Sequence, residues 1–192
     1  MVTRDAYTLF ILVLALERCF ELWLSRRNAA WAKRAGAVEY GAGHLVWMKL
    51  LHTSFFFGCI GEVWGLDRPF IPVLGFTCLA VALLAQGLRY WTIATLGRRW
   101  NVAVLVLPGV PAVASGPFRF LRHPNYLAVV AEGVAVPLMH SAFITAGVFT
   151  LLNAVLLSVR IGCEERALAT HCGYSERFAR RPRFWPARSS PP

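Results

Sequence analysis

Long apolar runs, broken by short basic or proline- and glycine-rich stretches, set the pattern of the chain. Five apolar segments emerge, at about Tyr7 to Leu24, Leu45 to Gly65, Phe70 to Leu96, Tyr126 to Met139 and Ala142 to Val159. A helix needs roughly 20 such residues to cross a hydrocarbon layer about 30 Å thick, and only a helix satisfies its own backbone there. The pattern therefore predicts an all-α fold, a polytopic membrane bundle of about five transmembrane helices. The last two segments are short and meet at 'LMHSAF', which reads as a tight helical hairpin with Pro137 near its tip. At 1.5 Å per residue, a run of roughly 15 residues falls short of the hydrocarbon thickness, so this hairpin is expected to tilt, to thin the bilayer or to stop part-way.

Composition agrees. With 192 residues, 57% of them hydrophobic and 16% charged, and a mean hydropathy of +0.51, the chain has more apolar side chains than one soluble core of this size hides. The net charge of +10 is distributed as a topology signal. Arg26, Arg27, Lys33 and Arg34 follow the first segment against Glu39 alone, whereas the next connection has Glu62 and Asp67 against Arg68. The third holds Arg98, Arg99, Arg119 and Arg122 with no acid, the hairpin tip has only His140, and the tail is again arginine-rich. Cytoplasmic loops carry the excess of basic residues, so the N-terminus is expected outside and the C-terminus in the cytoplasm of a bacterial cytoplasmic membrane. Attraction to anionic lipid is secondary, and without a basic soluble domain no nucleic-acid partner is expected. The first segment holds Glu17, Arg18 and Glu21 and is followed by no small-residue cleavage site, so it reads as a retained helix rather than a signal peptide. No repeat or long linker divides the chain, which is read as one membrane domain over 1–192, with three helices in 1–96 and a disordered tail at 187–192.

Cys19, Cys59, Cys78, Cys163 and Cys172 form no C-x-x-C pair and read as small buried residues with free thiols. No histidine spacing argues for a metal, and no G-x-G-x-x-G or Walker loop for a soluble nucleotide pocket. His44, His52, His140 and His171 are expected to satisfy local hydrogen bonds. Glu17, Glu21, Gln86 and Arg89 are expensive in hydrocarbon, and either pair between helices or line a substrate tunnel.

Two stretches carry the candidate chemistry. The loop Gly97 to Asn125 contains 'LPGVPAVASGPFRFLRHPNYL', whose prolines and glycines rule out a long helix and leave backbone groups free to grip a polar cofactor, or simply to connect. From Arg160 to Pro186 runs 'RIGCEERALATHCGYSERFARRPRFWP'. Arg160 and Glu164, four apart, share a helical face: they form an ordinary helix-end ion pair, or together address a charged ligand. Glu165 points elsewhere, and Arg177, Arg180, Arg181 and Arg183 read as a solvated or lipid-facing cluster.

The set 'GPFRFLRHPNY', a helical hairpin, 'RIGCEE' and 'GYSERFARRPRFWP', preceded by 'LGRRWN', resembles the isoprenylcysteine carboxyl methyltransferase family of integral-membrane enzymes that use S-adenosylmethionine. The resemblance covers roughly Leu88 to Pro186, and implies that 97–186 is a cofactor-binding region closed by the cytoplasmic loop and the C-terminal segment. It implies contacts to the cofactor from His123, Pro124, Asn125 and Tyr126, from the strip Val110, Pro111, Ala112 and Val113, and from Glu164, with Arg160 on the substrate carboxylate. Phe118 stands where the family often has tyrosine, which removes a hydroxyl. The implied acceptor is lipophilic: a prenylated cysteine, or a long-chain lipid such as an alkylpyrone or alkylresorcinol bearing a carboxyl or acidic hydroxyl. Two other readings stay open, a nicotinamide-dependent membrane reductase, which shares 'RHPNY', and a non-catalytic small transporter or assembly protein.

Overall fold

All five apolar runs are helical, and two of the helices run well past the ends that hydropathy marks. The helices are α1 (Val2–Arg34), α2 (Ala42–Gly65), α3 (Pro72–Leu96), α4 (Pro124–Leu138) and α5 (Phe143–His171), followed by the five-residue α6 (Tyr174–Phe178). The computed structural model describes residues 2–179 and 181–184, so the expected tail at 187–192, Arg180 and the Trp185–Pro186 ending lie outside it.

Proline opens two of the helices. Pro72 and Pro124 stand at first-turn positions of α3 and α4, where a missing N–H costs nothing. Glu62 at the end of α2 starts α5: its carboxylate accepts from the Ile144 N–H at 3.0 Å, the Thr145 N–H at 2.6 Å and the Thr145 hydroxyl at 2.8 Å. A negative charge there complements the helix dipole. The hairpin between α4 and α5 is tight, with the Ala142 N–H donating to the Pro137 carbonyl at 3.0 Å. Only one of its arms is short, however. Helix α4 has 15 residues, whereas α5 has 29 and carries Arg160, Glu164 and Glu165 mid-helix.

The all-α expectation needs one amendment. Strands β1 (Val38–Tyr40) and β2 (Val104–Val106) pair antiparallel, Val38 opposite Val106 and Tyr40 opposite Val104, and so tie the first basic loop to the third.

The main core joins all five long helices through Tyr7 and Ile11, Phe55, Cys59 and Val63, Cys78 and Ala82, Ala135 and Val136, and Phe149. At Gly133 the helices approach so closely that a Cβ would lie 2.4 Å from the Phe149 ring. Among the described residues two helices are long and apolar enough to cross a membrane, α3 with the turn after it (Pro72–Arg99) and α5. Both leave large apolar side chains exposed, Leu83 and Leu84 on one and Leu151 and Val155 on the other, an outward surface suited to lipid rather than water. All five cysteines are free; Cys19, on α1, is exposed rather than buried.

Candidate active site

His123 closes the long loop in an extended-to-turn conformation (φ −130°, ψ 61°), and Pro124 begins α4 directly after it. Tyr126 thereby falls in the first turn of α4, facing α5. Arg160 and Glu164 do share a face of α5, but they do not form the expected ion pair. The Tyr126 hydroxyl stands between them, accepting from Arg160 Nε at 2.8 Å and donating to the Glu164 carboxylate. A second Arg160 nitrogen, Nη2, donates to the Val102 carbonyl, and the guanidinium lies 5.7 Å from the centre of the Tyr126 ring. The helix-end reading fails because α5 continues to His171.

Glu165 has a larger part than its position suggested. His123 is buried, its Nε2 sits 3.0 Å from Glu165 Oε1, and its ring stacks on Tyr126 at 5.3 Å. Arg183 Nε donates to the same carboxylate oxygen at 3.0 Å, which pulls the C-terminal segment against the loop. Main-chain bonds extend the seam: the Arg122 N–H reaches the Pro182 carbonyl at 2.9 Å and the His123 N–H the Arg183 carbonyl at 3.3 Å. Arg181 Nη1 donates to the Phe118 carbonyl at 2.6 Å, and Arg177 Nη1 to the Ala112 carbonyl at 3.1 Å. Arg177, Arg181 and Arg183 latch the C-terminal segment to the loop and to Glu165; Arg181 is partly buried there, which corrects the solvated reading for it, whereas Arg177 and Arg183 stay exposed while making these contacts.

The strip Val110 to Val113 runs beside the end of α5. Most of its polar backbone is already taken: the Ala112 N–H bonds to the Cys172 carbonyl at 3.2 Å, the Val110 N–H to the Leu107 carbonyl at 3.2 Å, and the Pro111 carbonyl accepts from Arg99 at 3.0 Å. The loop offers side chains and shape more than free backbone. Phe118 packs against the small cluster formed by Val104, Val106, Ala112, Tyr174 and Phe178.

One cavity of about 570 Å³ gathers the candidate residues, a size ordinary for a small-molecule site. Val110, Pro111, Ala112, Val113, Phe118, His123, Pro124, Asn125, Tyr126, Arg160 and Glu164 all line it. Apart from Arg18 Nη1, which lies 2.8 Å from the Glu21 carboxylate, three polar atoms in its wall are buried without a hydrogen-bond partner among the described residues: Asn101 Nδ2, Asn125 Oδ1 and the Tyr174 hydroxyl. Burial, with Glu165 and Glu164 nearby, raises the Tyr174 hydroxyl above its usual range and keeps it a proton donor.

Further in, the walls turn apolar, with Ile11, Leu14, Phe55, Ile60, Val136 and Phe149. A charged belt crosses this part. Arg89 donates to Glu21 through Nε at 2.7 Å and Nη2 at 2.5 Å, and Arg18 reaches Glu21 at 2.8 Å and Glu132 at 3.0 Å. Arg18 also donates to Gln86 at 2.9 Å, and Gln86 donates to Glu17. Interhelical pairing thus accounts for all four polar residues singled out in the sequence, and Glu21 and Arg89 line the cavity as well. Glu132 was missed, although a lone acid inside 'NYLAVVAEGVAVPL' is the same signal that marked Glu17 and Glu21. Of the four histidines expected to bond locally, only His52 does, to the Met48 carbonyl; His140 and His171 instead reach Thr3 and Tyr40 far along the chain, and His44 Nε2 is buried without a partner among the described residues.

The profile of the isoprenylcysteine carboxyl methyltransferase family matches residues 78–170. The chain is also 39% identical over 163 residues to the uncharacterized protein YpbQ of Bacillus subtilis, covering 84% of this chain and 96% of that one. The chain belongs to the isoprenylcysteine carboxyl methyltransferase family. An uncharacterized protein of Haemophilus influenzae is 29% identical over 161 residues, 83% of this chain and 92% of its own length. The nickel-cobalt-cadmium resistance protein NccN of Alcaligenes xylosoxydans xylosoxydans is 30% identical over 114 residues, 57% of this chain and 53% of that protein. Membership in a methyltransferase family, together with the two apolar helices, marks a membrane protein of the methyltransferase class. The matched span runs from α3 to the end of α5, and so holds His123, Tyr126, Arg160, Glu164 and Glu165 but not the latching arginines after His171.

Proposed function

We propose that the protein is an integral-membrane O-methyltransferase that uses S-adenosylmethionine to methylate a carboxyl or acidic hydroxyl on a lipid-like acceptor. The observation that carries this reading is one continuous cavity that reaches from the polar junction of α4, α5 and the loop into the bundle, where largely apolar walls are crossed by paired Arg and Glu side chains. A water-soluble donor and a lipid-borne acceptor require such a junction. In this reading 1–192 is one membrane domain with five spans, the N-terminus outside, and 97–186 forming a cytoplasmic cofactor pocket. Family membership favours methyl transfer over the reductase reading.

The residues suit that cofactor. Asn125 Oδ1 supplies an unused acceptor, and the Tyr174 hydroxyl and Asn101 Nδ2 unused donors, for a ligand rich in both kinds of group. The adjacent Glu164 carboxylate complements a positive sulfonium. S-adenosylmethionine supplies an activated methyl group for in-line transfer to oxygen, so the protein's task is alignment and exclusion of water. Arg160 spends Nε and Nη2 on Tyr126 and Val102, and Nη1, which has no partner among the described residues, is the donor for the acceptor's oxygen. Tyr126 holds Arg160 and Glu164 in register through one hydroxyl. The Glu165, His123 and Arg183 seam covers the polar end.

Calorimetric titration of the detergent-purified protein with S-adenosylhomocysteine tests the reading. Saturable binding that weakens in His123→Ala is expected, and a folded protein that binds none of it overturns the proposal.

A further inference from the structure

The apolar run of α1 ends at about Leu24, yet the helix goes on to Arg34 and keeps a buried face. Glu21, Ser25, Asn28 and Ala32 are buried along it, at the three- and four-residue spacing of one helical side. Ser25 and Asn28 are polar, and both bond to the segment that follows α3. The Asn28 amide donates to the Trp100 carbonyl at 2.9 Å. Ser25 Oγ accepts from the Val102 N–H at 2.9 Å and donates to Asn101 Oδ1 at 3.3 Å. Trp100, Asn101 and Val102 line the cavity, and Ser25 and Asn28 stand behind them. A hydroxyl has a single hydrogen, and with Val102 donating to Ser25 that hydrogen needs an acceptor. Oδ1 of Asn101 supplies it, which leaves the amide nitrogen to face away from α1. That nitrogen, Nδ2, is buried without a partner among the described residues. The Val102 carbonyl accepts from Arg160 Nη2, so one hydroxyl on α1 fixes the segment on which both groups rest.

We infer that Ser25 is a positioning residue for cofactor binding: its hydroxyl sets the Asn101 carboxamide so that Nδ2, and not Oδ1, is offered to S-adenosylmethionine. The inference rests on the methyltransferase reading above and deepens it. It also brings α1 into the site, although α1 lies outside the matched span 78–170. The two ends of a carboxamide are nearly equal in shape and opposite in hydrogen bonding. Without the Ser25 hydroxyl nothing fixes which end faces the cavity, and a turned amide meets a ligand's acceptor with a second acceptor. Ser25 touches no ligand in this scheme and acts through Asn101.

The test is a double-mutant cycle read by calorimetric titration of the full chain in detergent with S-adenosylhomocysteine. Asn101→Ala is expected to weaken binding by about 3- to 10-fold, the loss of one hydrogen bond, and Ser25→Ala by no more than that. The double variant should bind as Asn101→Ala does, because Ser25 has nothing left to orient. Ser25→Thr, which keeps a hydroxyl, should recover most of the loss. A purely structural Ser25 would behave differently, since loosening α1 against the loop weakens binding whether or not Asn101 is present. An equal Ser25→Ala loss with and without Asn101 therefore overturns the inference while leaving the methyltransferase reading intact. Wild-type binding by Asn101→Ala overturns it too, and decides the matter even if Ser25→Ala does not fold. Failure of the folded wild type to bind S-adenosylhomocysteine instead removes the methyltransferase reading, and this inference with it.

Discussion

Arg89 and Arg160 are buried to nearly the same degree, 8% and 5% exposed, and line one cavity. Their surroundings differ in kind. Arg89 grips Glu21 with two nitrogens, so its charge is cancelled inside the protein. Arg160 gives its recorded hydrogen bonds to a phenolic hydroxyl and a backbone carbonyl, both neutral, and meets Glu164 only through Tyr126. A buried cation with a direct carboxylate partner is a structural element. One held by neutral oxygens keeps a demand for negative charge, and a ligand can meet it. The comparison separates the two ends of the cavity, one whose charges are closed by the fold and one whose buried cation is left open to a ligand.

The sharpest way to break that comparison is to remove one partner at each end. Glu21→Ala removes the carboxylate hydrogen-bonded to Arg89, leaving only Glu132 at 4.0 Å, and is expected to cost up to about 3–5 kcal/mol of stability, read as a lowered unfolding midpoint in detergent. Replacing both partners, Arg89→Met with Glu21→Leu, should restore most of that loss. If Glu21→Ala unfolds no earlier than the wild type, the belt is not structural. At the other end, Arg160→Ala is expected to lower kcat by about 10²- to 10³-fold, as loss of a donor to a charge-developing oxygen does. Its unfolding midpoint should fall less than that of Glu21→Ala. Arg160→Lys should not rescue it, because a single ammonium cannot serve Tyr126, Val102 and the acceptor in diverging directions. Wild-type turnover in Arg160→Ala would sink the contrast.

How far the sequence reached differs between the ends too. Hydropathy found each helix, since each apolar face needs lipid or core, but it placed the end of α5 near Val159 because Arg160, Glu164 and Glu165 interrupt the apolar run. Helix propensity in 'RIGCEERALATH' is high and carries α5 to His171. The β1–β2 ribbon was illegible: three residues per strand show no alternation, and Val38 meets Val106 only because the bundle brings their loops together. At the site, the 'RHPNY' segment with Arg160 and Glu164 stood out by residue type and resemblance, and the cavity gathers them. The bridging hydroxyl of Tyr126 and the clamp at Glu165 could not be read, because both depend on how α4 and the C-terminal segment lie against α5. Charge clusters in sequence look solvated until backbone carbonyls are brought to them, as happens to Arg181 at the Phe118 carbonyl.

The smallest expected effect concerns the seam. Arg183 and Glu165 form an ion pair like that of Arg89 and Glu21, but the Arg183 side chain is 56% exposed against 9% for Arg89. Water screens the exposed pair, so a double-mutant cycle of Glu165→Gln with Arg183→Ala, read in the free energy of S-adenosylhomocysteine binding, should give a coupling of at most about 1 kcal/mol. Raising the salt concentration should shrink that coupling and leave the Arg89–Glu21 contribution to stability nearly untouched. A coupling several times larger that resists salt contradicts this expectation, because it requires the Arg183 pair to be shielded from water when the ligand is bound. The seam would then tighten over the occupied site, and the contrast between a closed interior and an open polar end would describe only the empty protein.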